Sequence, residues 1–95
     1  MKKIDNMRCH LDDEVKGARK YAEKYIFYAN SKPIWAETYA RMAKQEIEHA
    51  KNLHKMYQES VDEMKWVPED ALEEWEHCVN KMSETIALVE IMLSK

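Results

Sequence analysis

The chain has 95 residues, 35% of them charged and 45% hydrophobic, with a formal net charge of -3 and a single glycine. That length allows one domain, residues 1–95, with a core modest enough that a metal or a partner chain would help to stabilise it. The composition suits long helices with few turns. Lysines and arginines are interleaved with acids, so no basic groove for nucleic acid is expected, and one glycine cannot build a phosphate-cradling loop.

Lys2 and Lys3 open the chain, and Asp5, Asn6 and Arg8 follow before any apolar run can form. This pattern predicts no signal peptide and no membrane-spanning stretch, hence a cytoplasmic protein with no membrane partner. Cys9 and Cys78 belong to no C-x-x-C pair and are expected to be reduced and structural.

Three helices are predicted. The first covers residues 4–28, where Ile4, Met7, Leu11, Glu14, Ala18, Tyr21, Tyr25 and Tyr28 recur three and four apart, the spacing of a buried bundle seam. Asn30, Ser31, Lys32 and Pro33 break the chain, with Pro33 suited to the first turn of the next helix. The second helix is expected over residues 33–65, with a seam of Trp35, Tyr39, Met42, Glu46, His49, Leu53 and Met56. Trp66, Val67 and Pro68 form the next break, and Glu69 and Asp70 favour a helix N-terminus there. The third helix, residues 68–94, places Leu72, Trp75, Val79, Met82, Ile86, Val89 and Leu93 in its seam.

The first two seams carry Glu14, Glu46 and His49 among apolar residues; the third carries no ionisable group. A buried carboxylate costs several kcal/mol unless it is paired, hydrogen-bonded or bound to a cation. No lysine or arginine occupies those seams. A divalent metal would offset the cost, and Glu46-x-x-His49 sets an oxygen and a nitrogen donor one helical turn apart. Carboxylates with imidazole suit iron or manganese, with zinc as a substitute. A second Glu-x-x-His, Glu74 to His77, falls outside the helix 3 seam and reads as solvated surface. His10, one turn before Glu14, reads as a surface histidine or as a group that orients the carboxylate. His54 is expected to be exposed. Glu37, Glu48, Asp12, Asp13 and Glu23 lie outside the seams, with Asp12 and Asp13 at most on an access route for cations.

One chain holds only half of a recurring constellation. Di-iron carboxylate bundles take a glutamate from each of two helices and Glu-x-x-His from each of the other two. A two-fold homodimer would double the set to four glutamates and two histidines.

Glu14, Tyr21 seven positions later, and the stretch Ala43-Lys44-Gln45-Glu46-Ile47-Glu48-His49-Ala50 resemble the ferritin-like superfamily, and within it rubrerythrin half-bundles and encapsulated-ferritin-like proteins. The resemblance covers roughly residues 10–60. It implies an all-α fold of two long antiparallel helices plus a third C-terminal helix, dimerising into a ferritin-like four-helix bundle. It implies two Fe ions per dimer, with Mn or Zn as alternatives, and oxidation of Fe(II) by oxygen or peroxide. Glu14 resembles a bridging or terminal carboxylate, Glu46 the bridging carboxylate and His49 the terminal nitrogen ligand. Tyr21 resembles the tyrosine that stands behind the metals; the other reading of it is a core aromatic whose hydroxyl is satisfied locally.

Two departures are visible. The rubredoxin-like cysteine set of rubrerythrins is absent, which favours iron oxidation over peroxide removal fed by an electron donor. The end at Leu93-Ser94-Lys95 carries no shell-docking tail, so an encapsulin shell is unsupported as partner. Helix 3 would then close the dimer or join dimers into a higher homo-oligomer. The rival readings are a helical interaction bundle, in which Glu14, Glu46 and His49 form a polar layer, and a non-redox zinc or manganese protein.

Overall fold

A computed structural model describes all residues, 1–95, as three helices and no strands. They are α1 (Lys2–Tyr28), α2 (Pro33–Asp62) and α3 (Glu69–Leu93). No helix is long and apolar enough to cross a membrane.

The first break forms as its residues dictate. Pro33 sits in the first turn of α2, where its missing N–H has no helical partner to lose. A proline also disfavours helical geometry in the residue before it, and Lys32 is extended at φ -141°. The second break comes earlier than the periodicity predicts. The chain leaves α2 after Asp62, not at residue 65, with Val61 buried and Met64 and Val67 turned onto the core. Pro68 then caps α3, whose first turn carries Glu69 and Asp70.

α1 and α2 form an antiparallel hairpin, bridged along its length by His10 to Tyr57, Tyr21 to Tyr39 and Tyr28 to Trp35. α3 returns parallel to α1 and packs chiefly against it. Arg8 pairs with Glu74 at 3.0 Å, and the Cys78 thiol lies 3.9 Å from the Arg8 carbonyl. Trp75, 1% exposed, anchors this end of the bundle and donates its indole N–H to Gln58 Oε1 at 2.8 Å. A buried tryptophan needs such a partner, and this one ties α3 to α2.

The α2 seam differs from the predicted one. Its buried residues are Ala36, Ala43, Ile47 and Ala50, one position round from Trp35, Met42, Glu46 and His49, together with Val61 near its end. Trp35, His49 and Met56 are exposed, whereas Tyr39, Met42, Glu46 and Leu53 are half-buried. Alanines explain the shift. Small side chains let helices approach closely, so Ala43 and Ala50 turn inward and the larger residues flank the contact. In α1 the seam holds at Ile4, Met7, Leu11 and Ala18, but Val15 and Ala22 are also buried while Glu14, Tyr21, Tyr25 and Tyr28 are half-exposed. In α3, Trp75, Met82, Ile86 and Val89 are buried with Ala71, and Leu72 is exposed.

The molecule is a rod of 53 × 18 × 17 Å with a radius of gyration of 15.4 Å. A compact chain of this length would have about 12 Å. One long side of the α1–α2 hairpin has no helix over it. That side carries His49 and Met56, both exposed on α2, and the candidate site lies at its middle.

Candidate metal centre

Glu14 of α1 faces Glu46 and His49 of α2, and one potential ligand atom from each lies within 4.8 Å of the others. The three residues singled out from the sequence are therefore together, although they edge the packed seam instead of filling it. The Glu14 side chain is 21% exposed and that of His49 60% exposed.

Glu14 Oε2 is buried and has no hydrogen-bond partner. Its neighbour His49 Nδ1 stands 3.8 Å away, too far for a hydrogen bond. The Glu46 carboxyl is held above the ordinary carboxylate value of 4.5. A hydrogen bond with Glu14 is the main cause, then burial and the Glu14 charge, with His49 pulling the other way. Glu14 and burial together thus favour the protonated form of Glu46 in the metal-free chain.

These observations fit a bound cation. An orphaned carboxylate oxygen, a second carboxyl beside it and a neighbouring imidazole make a donor set suited to iron, manganese or zinc. Donors about 2.1 Å from one ion stand about 3.0–4.2 Å apart, closer than the 4.8 Å that bounds these atoms, so the side chains would have to draw inward to share an ion.

Three neighbours shape the site. His10 places Nε2 3.5 Å from Glu14 Oε1, and its Nδ1 lies 2.6 Å from the Tyr57 hydroxyl. His10 is thus exposed, as expected of a surface histidine, while lying close to both Glu14 and Tyr57. Tyr57 was not legible as part of the site, because the predicted α2 seam placed it off the contact face. Gly17 is the third neighbour: a Cβ there would lie 3.3 Å from Glu46 Oε2. A glycine inside a helix costs about 1 kcal/mol relative to alanine, and this was the available signal that something approaches closely.

The remaining candidates lie elsewhere. Tyr21 is half-buried and stacks on Tyr39 with ring centroids 6.1 Å apart, one layer along from the glutamates. Glu74 and His77 are exposed on α3, as expected from their phase. His54, expected to be exposed, is half-buried because its ring leans on Trp75 at 6.4 Å. Cys9 and Cys78 are free, and burial pushes the Cys78 thiol up.

No family model, curated protein or solved structure matches the chain. The ferritin-like resemblance accordingly rests on the residues themselves.

Proposed function

We propose that the chain is one half of a di-iron carboxylate centre, completed when two copies pair across the open side of the α1–α2 hairpin, and that it oxidises Fe(II) with oxygen or peroxide. The observation that carries this reading is the orphaned Glu14 Oε2 beside the Glu46 carboxyl and an outward-facing His49. A partner related by a two-fold axis would bring a second Glu14, Glu46 and His49 to the same place, giving the four-glutamate, two-histidine set of di-iron bundles. Met56, 62% exposed on that side, suits burial against a second copy.

Iron is the substrate in this reading. Two Fe(II) ions give up one electron each, and the pair reduces one dioxygen to peroxide or one peroxide to water. The protein's part is to bind and orient. Glu46 offers its carboxylate, and Gly17 leaves it the room to move. His10, steadied by Tyr57, keeps the Glu14 carboxylate in one orientation. His49 contributes a ring nitrogen from the rim.

Anaerobic Fe(II) titration followed by oxygen tests the reading. The expected result is saturation at two irons per dimer, then oxygen uptake with a new ferric absorption band. Glu46→Ala and His49→Ala should each abolish saturation; unchanged iron uptake in both would sink the assignment. Tight zinc or manganese binding without iron oxidation would instead make this a non-redox metal site.

A further inference from the structure

Four oxidisable aromatic rings lead from the metal layer to the hairpin tip, alternating between the two helices. Tyr21 of α1 stacks on Tyr39 of α2 at 6.1 Å between centroids and 27° between planes. Tyr39 stacks on Tyr28 of α1 at 5.8 Å and 13°. Tyr28 meets Trp35 of α2 edge-on at 5.3 Å. Every step lies within the contact range of aromatic pairs. Tyr21 follows Glu14 by seven residues and Tyr39 precedes Glu46 by seven, so the first pair lies about 10 Å along the hairpin from the glutamates. Trp35, at the far end, is 49% exposed and has the Lys32 ammonium 3.7 Å above its ring.

Tyr21, Tyr28 and Tyr39 are half-buried, so each ring stays stacked while its phenol keeps a route to water for its proton. Phe27, which touches Tyr28 from the side, is the chain's one phenylalanine and stands outside the series. We propose that Tyr21, Tyr39, Tyr28 and Trp35 form a relay that carries an oxidising equivalent from the Glu14–Glu46–His49 site to the hairpin tip. The proposal rests on the metal reading above and adds a second outlet for its oxidising power.

The relay acts when a peroxide meets a site holding a single Fe(II). Cleaving the O–O bond to give two waters takes two electrons and two protons. One electron comes from Fe(II), which becomes Fe(III). The other comes from Tyr21, whose phenolic proton joins one proton from solvent to complete the waters. Tyr21 then recovers an electron and a proton at the expense of Tyr39, and the vacancy passes through Tyr28 to Trp35. Lys24 over Tyr39 and Lys32 over Trp35 disfavour positive charge on those rings, so each oxidised ring sheds its proton. A soluble one-electron donor of the ascorbate or thiol class refills Trp35. The site's ligands are thereby spared oxidation when iron is scarce.

The test loads the dimer with less Fe(II) than its sites can hold, adds peroxide, freezes one sample for electron paramagnetic resonance and maps oxidised residues in another by peptide mass spectrometry. The expected result is a tyrosyl or tryptophanyl radical together with oxidation at Trp35. Tyr39→Phe keeps the stacked ring but is hard to oxidise, and Tyr39→Trp keeps both properties. Trp35 oxidation should fall severalfold in Tyr39→Phe and return in Tyr39→Trp, with iron stoichiometry unchanged in both. Equal Trp35 oxidation in wild type and Tyr39→Phe overturns the relay, as does ferric iron formed without any aromatic radical; in either case the metal site stands. Failure of the wild-type chain to bind iron overturns both.

Discussion

Glu46 meets opposite demands in the metal-free and the loaded chain. Without metal its carboxyl is held above 4.5 by Glu14, so the folded state keeps a proton that the unfolded chain releases. A carboxyl raised in this way favours folding least once pH exceeds the folded value, and its penalty is absent below the unfolded one. Between those values the metal-free protein should lose stability as pH rises, relative to Glu46→Gln, which has no such proton. Thermal melts of the two proteins across that window check the sign; a difference independent of pH would mean that Glu46 is not strained. Cation uptake should release the same proton and tighten as pH climbs through the raised value, which a pH-stat titration with zinc would read.

Gly17 belongs to the same scale. Gly17→Ala adds up to about 1 kcal/mol of helix stability, because alanine loses less backbone freedom on folding. The new methyl would stand 3.3 Å from Glu46 Oε2 and press the carboxylate aside. The expected outcome is a metal-free protein as stable as wild type or more so, with metal affinity lowered severalfold. Calorimetry of zinc binding beside a urea melt separates the two effects. Glu14, Glu46 and His49 were legible from spacing and unpaired charge. Gly17 and Tyr57 were not read as part of the site, because their roles come from contacts between helices that one helix's periodicity does not contain.

Among the elements, α3 was the most plainly written. Of its predicted seam, Trp75, Met82, Ile86 and Val89 are buried, Val79 and Leu93 half-buried and Leu72 exposed, and the second Glu-x-x-His stays outside. Trp75→Ala should cost about 3–5 kcal/mol, the usual loss for a large core aromatic. Chemical denaturation measures this directly. Glu74→Ala, by contrast, removes only an exposed ion pair with Arg8, worth up to about 1 kcal/mol, and should leave iron oxidation unchanged. A large loss of oxidation there would mean that α3 contributes to the centre. α2 was read with its seam one residue out of register, because tyrosine, tryptophan and methionine weigh more in a hydrophobic pattern than alanine does. Close helix packing reverses that preference, and so the aromatic row borders the open side while Ala36, Ala43 and Ala50 face the core.

For the molecule as a whole, the three-helix architecture and both breaks could be read from the chain, since prolines and periodicity are local signals. The side left uncovered could not, because it depends on where α3 settles. That side gives the pairing hypothesis its sharpest test. Met56 is 62% exposed, so Met56→Glu should hardly disturb a lone chain. If two copies meet there, the charge is buried, and the variant should remain monomeric and lose oxygen-linked iron oxidation while retaining its helicity. Sedimentation equilibrium with circular dichroism distinguishes this from unfolding, and a dimeric, active Met56→Glu would show that pairing uses another surface.

The rod shape has a hydrodynamic consequence. A particle roughly three times as long as it is wide meets more drag than a sphere of its mass, so a single chain should leave a sizing column ahead of compact proteins of 11.4 kDa. Glu14 lies near the middle of α1, and pairing about that point would lay two rods side by side. Mass would double while length stayed nearly constant, and the frictional ratio would fall. Assembly should therefore register strongly in light scattering and only weakly in elution volume.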